Sequence, residues 1–195
     1  GFVLKKGEPI SGTAIIPKDE LLKESSELVQ RVYMDITPTP KAEKTGEKIL
    51  EDGFAIAGAA PVFTLQKKFV GVLYGVVLLN RNFEIVDKIR DTIFESGALY
   101  KSKPIGTVTI FQKDVRISTN VLNEDGSRAI STKLSSDVAE TVLKNNKVFR
   151  GKAFVVNDWY LSAYTPIKGV DGETVGVLYV GVLEKPYKDS LFRSL

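Results

Sequence analysis

The stretch GVLYGVVLL, Gly71 to Leu79, is nearly rewritten as GVLYVGVLE, Gly176 to Glu184, 105 residues further on. At that fixed offset residues 54–78 fall on 159–183 without a gap. The identical pairs are Pro61/Pro166, Val70/Val175, Gly71/Gly176, Val72/Val177, Leu73/Leu178, Tyr74/Tyr179, Val77/Val182 and Leu78/Leu183. Two Val-rich strands can share residues by chance. A Pro and a four-residue run held at one offset argue instead for a structural repeat.

Each copy reads as strand, turn, strand. In the second, Tyr160–Ile167 leads through a turn at Asp171-Gly172, a pair suited to positive φ, into Thr174–Leu183. The latter is almost continuously apolar, which predicts a central strand packed on both faces. Gly176 and Gly181 within it predict bulges or close backbone approach. Upstream, 106–121 reads as two strands joined at Gln112-Lys113-Asp114, followed by a turn at 123–127. A helix capped by Ser135 or Ser136 with Val138 and Val142 on one face comes next, then a strand within 148–158. The order strand, strand, helix, strand, strand, strand predicts a five-stranded antiparallel sheet over 106–183, with strand order 2-1-5-4-3.

The first copy reads as incomplete. An apolar stripe of Leu21, Leu28 and Val32, with Leu22, Val29 and Tyr33, predicts one helix from about Asp19 to Met34, but no strand pair like 106–121 precedes it. A loop follows at 36–48. Between the copies, Asn82 is placed to cap a helix with Val86, Ile89 and Ile93 on one face, running to Glu95. The fold expected is α+β: two modules, each an antiparallel sheet with flanking helices. Residues 1–80 form the first, 81–98 a connecting helix, 99–185 the second, and 186–195 the start of an exit helix.

Composition narrows the function. The chain has no Cys and no His, which removes thiol and imidazole nucleophile pairs and the usual zinc sites, so no cofactor or metal is expected. A net charge of +3 spread along the chain gives no basic patch for nucleic acid. The longest apolar runs are too short to span a bilayer. No GxSxG, GxGxxG, P-loop or SxxK stands in a catalytic context.

TVTIFQKDVRISTNV, NEDGSRAI, FRGKAFVVNDWYLSAYTPI and DGETVGVLYVGV, in that order, resemble a Cache domain, the PAS-like extracytoplasmic sensor of bacterial and archaeal histidine kinases and methyl-accepting chemotaxis receptors. With GAAPVF and GVLYGVVLLNRNFEIVDKIRDTIF ahead of them, the arrangement resembles the tandem Cache 3/Cache 2 fusion type over about residues 50–187. The resemblance implies a membrane-anchored receptor, homodimeric when whole, with a small-molecule pocket in a module. EKPYKDSLFRSL would begin the exit helix toward the membrane.

The same resemblance singles out Arg116. In citrate- and fumarate-sensing relatives an Arg on this strand, followed three residues later by a polar side chain, holds ligand carboxylates; RIST places Arg116 and Thr119 on that pattern, with Thr where the relatives have His. A planar guanidinium can grip a carboxylate by two parallel hydrogen bonds. The other reading of Arg116 is an edge-strand cation facing solvent. On WYLSAYTPI, Tyr160, Ser162 and Tyr164 alternate onto one face. Ser162 and Tyr164 stand where the relatives place basic contacts, which points to a smaller, less charged anion; packed core tyrosines are the alternative. The three align with Ala55, Ala57 and Ala59 of the first copy, which points to a site in the second; the alanines could equally leave room for a bulkier ligand in the first copy or for tight packing on its own helix. Lys152 and Arg150 could add a cation or be solvated. Trp159 could stack on a ligand or simply pack. The function expected is therefore extracytoplasmic sensing of a small organic anion. A non-binding dimerisation module, or a small hydrolase-like enzyme using Tyr, Lys and carboxylates, are the competing readings.

Overall fold

The computed structural model describes residues 7–94, 97–156 and 158–193, of which 190–193 by backbone alone. Its core layer is a five-stranded antiparallel sheet of β8 (Gly106–Gln112), β9 (Val115–Thr119), β10 (Phe149–Val155), β11 (Asp158–Lys168) and β12 (Thr174–Leu183), in the order β10-β11-β12-β8-β9. That is the predicted order, with β12 central as its apolar run required. The turn after β8 closes with Lys113 at φ 49. In the β11–β12 turn only Gly172 takes positive φ, at 86.

A second sheet has three strands, β1 (Ile10–Ile16), β4 (Gly53–Phe63) and β5 (Phe69–Leu78), in the order β1-β4-β5. The repeat is written into its register. Ala55 pairs with Leu78 as Tyr160 pairs with Leu183, and Pro61 with Val72 as Pro166 with Val177. Both ladders slip at the equivalent step, Val62/Phe63 and Ile167/Lys168. Strand β1, not foreseen in the sequence, completes the parallel. Ile10 pairs with Ala59 and Ile16 with Gly53, just as Phe149 pairs with Tyr164 and Val155 with Asp158. The three strands thus correspond to β10, β11 and β12. Nothing among the described residues corresponds to β8 and β9.

Where only two residues separate β10 from β11, β1 reaches β4 through a long insertion carrying α1 (Lys18–Glu24), α2 (Ser26–Val32) and the two-residue strands β2 (Met34–Asp35) and β3 (Ile49–Leu50). The single helix expected over 19–34 is therefore two. Ser25 breaks it: its backbone is extended and its hydroxyl accepts from the Glu27 amide at 3.1 Å, capping α2. The break rotates the stripe, so Leu21 and Val32 are buried while Leu22 is exposed.

The five-stranded sheet is packed on both faces, on one of them mainly over β8, β9 and β12, with Phe154, Trp159 and Leu161 of β10 and β11 left exposed. On one, Val108, Ile110 and Ile117 pack with Phe54, Met34 and Leu79 and with helix α3 (Phe83–Ile93) through Val86, Ile85 and Ile89. Asn82 caps α3 by accepting from the Ile85 amide, as expected, and the helix ends at Ile93; Glu95 lies outside the described residues. Buried Asn80 stitches the sheets together, accepting from the Phe54 amide at 2.7 Å and donating to Gln112 at 3.2 Å. Arg128 grips Asp87 of α3 by two hydrogen bonds of 3.0 and 2.7 Å, over the Phe83 ring. Asp87→Asn should lower stability by about 1 kcal/mol in a denaturant titration, the scale of one partly exposed charge-assisted contact.

The other face carries a core of Phe111, Leu134, Val138, Val142, Tyr164, Val177 and Tyr179. Helix α4 (Ser136–Ala139), continued by a wider π-helical turn over Glu140–Lys144, closes it. Helix α5 (Lys185–Arg193) follows β12, where the exit helix was expected. Beside its backbone, β6 (Leu99–Tyr100) and β7 (Lys103–Pro104) form a short hairpin, whose Tyr100 hydroxyl donates to Asp189.

Candidate functional site

Register builds the site. Cross-strand partners share a face. Tyr179 of β12 lies opposite both Tyr164 of β11 and Thr109 of β8; Gly181 lies opposite Ser162 and Thr107; Val177 lies opposite Phe111, which lies opposite Arg116 of β9. One face of the sheet therefore collects Arg116, Thr107, Thr109, Tyr160, Ser162, Tyr164 and Tyr179, beneath α4. Tyr160, Ser162 and Tyr164 are buried and Leu161 is exposed, which is the alternation the sequence showed. The Tyr164 and Tyr179 rings meet at 4.7 Å. Tyr179 lies back over Gly181, where a Cβ would collide with its hydroxyl, and that hydroxyl sits 3.1 Å from Thr107.

Arg116 is the anomaly in this face. It is only 6% exposed, so it is not a solvated edge residue. Its guanidinium stacks 5.3 Å from the Phe111 ring and donates to the Ala129 carbonyl at 3.3 Å. Its Nε has no partner, and among the described residues no carboxylate pairs with it. Burial draws its pKa below the ordinary arginine range. Burial also pushes the Tyr160, Tyr164 and Tyr179 hydroxyls up, which keeps them protonated as donors. Nearby Lys133, equally buried, is neutralised by Asp114 at 2.7 Å. A buried guanidinium among hydroxyls has the chemistry to hold one anionic group.

Three other expectations fare differently. Thr119 is buried beside the site, but its hydroxyl is spent inside the sheet, 2.6 Å from that of Thr109, donating to the Val108 carbonyl and accepting from the Val121 amide. Lys152 pairs in register with Leu161, which puts it on the outer face. It binds Glu184 there and lies over half-exposed Trp159, itself packed edge-on against Phe154 at 5.5 Å. Lys152 and Trp159 are thus not brought to Arg116, because the strand pleat sends them the opposite way. Arg150 pairs with Ala163 and is exposed as well. Thr107, Thr109 and Tyr179 were missed. Their signal was the alternation TVTIF at 107–111 and the tyrosine of the repeated run itself.

The equivalent face of the three-stranded sheet is different. Ala55 packs against Leu21 and Val32, so its lack of bulk lets α1 and α2 approach. Beyond it lies an open cavity of about 690 Å³, lined by residues including Ile15, Leu21, Leu28, Tyr74 and Val76. Its polar groups are engaged within the chain: Glu24 accepts from the Tyr74 hydroxyl, Glu20 pairs with Lys23, and Arg31 donates to the carbonyls of Asn80 and Leu78. Its charged groups Arg31 and Glu24 are thus bonded to neutral groups of the chain, two carbonyls and a hydroxyl.

No cluster of potential metal ligands occurs among the described residues, and none of their helices is long and apolar enough to cross a membrane. No curated protein matches the chain. The family model described as single Cache domain 3 matches residues 77–193. The match starts near the end of β5, takes in α3, the whole five-stranded sheet and α5, and covers one module. Cache domains are ligand sensors rather than enzymes, typically in the extracellular parts of receptors. Sheet order, the covering helix and this match agree: the chain belongs to the single Cache domain 3 family.

Proposed function

We propose that the chain is the extracytoplasmic ligand-sensing part of a membrane-anchored signalling receptor, and that its five-stranded module binds a small organic carboxylate at Arg116. The observation that carries this is the buried guanidinium with an unpartnered Nε and, among the described residues, no counter-charge. A carboxylate supplies both what the charge lacks and acceptors for the hydroxyls of Tyr160, Ser162, Tyr164 and Tyr179. One free cation favours one acid group in contact with protein; a second would have to reach solvent. Thr119 fixes the neighbouring backbone, and Lys152 and Trp159 are left to the outer face. The register repeat supports a tandem arrangement, in which residues up to about 80 are an incomplete first module. Helix α5, which follows the central strand, would pass a change at the site toward a membrane segment and a kinase or chemoreceptor output.

A thermal-shift screen with acetate, propionate, pyruvate, lactate, malate and succinate tests this. A ligand at one hundred times its dissociation constant should add about 2.7 kcal/mol of stability. Tyr164→Phe should weaken the ligand that binds by about 0.5–1.5 kcal/mol, one neutral hydrogen bond, in calorimetry. A screen in which no carboxylate shifts the transition would leave the non-binding dimerisation reading in its place.

A further inference from the structure

The face that holds Arg116 is shut. Arg116, Tyr160, Ser162, Tyr164 and Tyr179 are each at most 7% exposed, so nothing reaches the guanidinium until its cover moves. The sheet beneath cannot part without breaking strand pairing. The cover is α4 with its π-helical turn, whose Val138, Ala139 and Val142 pack in one cluster with Tyr160 and Tyr164. It is short, and Ser135 gives it no side-chain cap. A helix of this length depends on outside contacts. Loop 36–48 of the first copy supplies them. None of its residues is buried, so it adds nothing to a core. Its sequence TPTP presets the approach: Pro38 and Pro40 bias Thr37 and Thr39 toward extended backbone, which puts both hydroxyls on one side. Thr37 donates its amide to the Ser131 carbonyl at 3.0 Å, and its hydroxyl lies 2.8 Å from that of Ser131. Thr39 accepts from the Lys133 amide at 2.9 Å. Segment 131–134 is itself bonded to Arg116 and Asp114 through its backbone, so the threonines grip a rail fixed to the sheet. Beyond the rail the loop takes the cover by both ends. The Lys41 carbonyl accepts from the Ser136 amide at 2.8 Å, and Glu43 pairs with Lys144 at 3.2 Å.

We propose that loop 36–48 is a releasable strap that latches α4 over Arg116, with Thr37 and Thr39 as the positioning residues of that cover. The strap's bonds are polar and mostly at the surface, where water replaces each partner as it leaves. Release strands no buried charge. Lys133 donates to Thr45 of the strap at 2.8 Å, but it keeps Asp114 at 2.7 Å when the strap is gone. The twin position, between β10 and β11, holds two residues, so the strap belongs to the first copy and serves the second. The inference rests on the anion-site reading for what passes beneath the cover. The latch itself can be read without a ligand.

The chain contains no cysteine, so a single Ser162→Cys thiol beneath the cover reports its opening. The readout is alkylation by iodoacetamide, a neutral probe. Thr37→Val with Thr39→Val keeps the side-chain shape and removes both hydroxyls. It should speed alkylation about tenfold, the equivalent of one hydrogen bond. Thr37→Ser with Thr39→Ser retains the hydroxyls and should keep the parent rate. A Val108→Cys thiol, buried on the opposite face, should react at one slow rate in all three backgrounds. If Ser162→Cys disturbs the fold, amide exchange in the cysteine-free chain decides. The amides of Ala139 and Asn145 should then exchange faster in the valine pair, and that of Val108 should not. The latch and the anion reading fail separately. A rise confined to the cover supports the strap whether or not pyruvate or malate binds, and an unchanged rate overturns it even if they bind. Equal acceleration at Val108→Cys would overturn it too, because the loop would then support the whole fold rather than the cover.

Discussion

Replacing Arg116 with Met should abolish carboxylate binding while leaving the unliganded fold nearly as stable as before. The two halves of that result have separate causes. Losing a desolvated charge pair to the ligand costs roughly 2–5 kcal/mol, or about 30- to 5,000-fold in affinity, so calorimetry should find no binding in the range where the parent saturates. The fold loses the stack on Phe111 and one hydrogen bond to Ala129. It also sheds a buried charge that no acidic group among the described residues offsets, and relief of that desolvation opposes the loss. The net change in a denaturant titration should therefore stay within about 1 kcal/mol in either direction. An arginine held in a satisfied structural ion pair behaves otherwise: breaking such a pair costs about 3–5 kcal/mol. A drop of that size with affinity unchanged would make Arg116 a scaffold residue and remove the anion site.

That contrast also marks how far the sequence could be read. Strand order in the five-stranded sheet followed from local signals that agree: alternation on β11, an unbroken apolar run on β12, and turns at Lys113 and Gly172. The repeat was legible because register is a pairwise property of two strands, and both were present in each copy. Strand β1 was not, since ISGTAII has no strong alternation; what makes it a strand is the edge of β4. The helix break at Ser25 was hidden because its stripe continues across the break, and only the cap hydroxyl shows that the axis turns. In the site, residue type suggested Arg116 and the tyrosines. Their convergence depends on β8 and β12 lying between β9 and β11, which brings in Tyr179, Thr107 and Thr109. Lys152 and Trp159 were drawn in by nearness along the chain, and the pleat separates them from the site.

Gly176→Val should be among the most damaging single changes in the chain, and Gly71→Val, the same change at the same register of the repeat, should be close to neutral. At Gly176 a Cβ would meet the Phe111 carbonyl and the Phe54 ring. The carbonyl belongs to the β8–β12 ladder and the ring fills the core between the two sheets, so neither can retreat cheaply. Overpacking of this kind costs about 1–3 kcal/mol, and a backbone obstacle sets it at the upper end. At this chain length about 3 kcal/mol corresponds to roughly 6–12 °C in the unfolding midpoint. At Gly71 nothing lies within 4 Å of the same Cβ. Valine there restricts the unfolded chain and suits a strand, which should hold stability level or raise it by up to about 1 kcal/mol. Equal losses at the two positions would mean that β5 is covered as fully as β12. A harmless Gly176→Val would mean that Phe54 does not seat on the central strand, which would remove the packing that joins the two halves of the repeat.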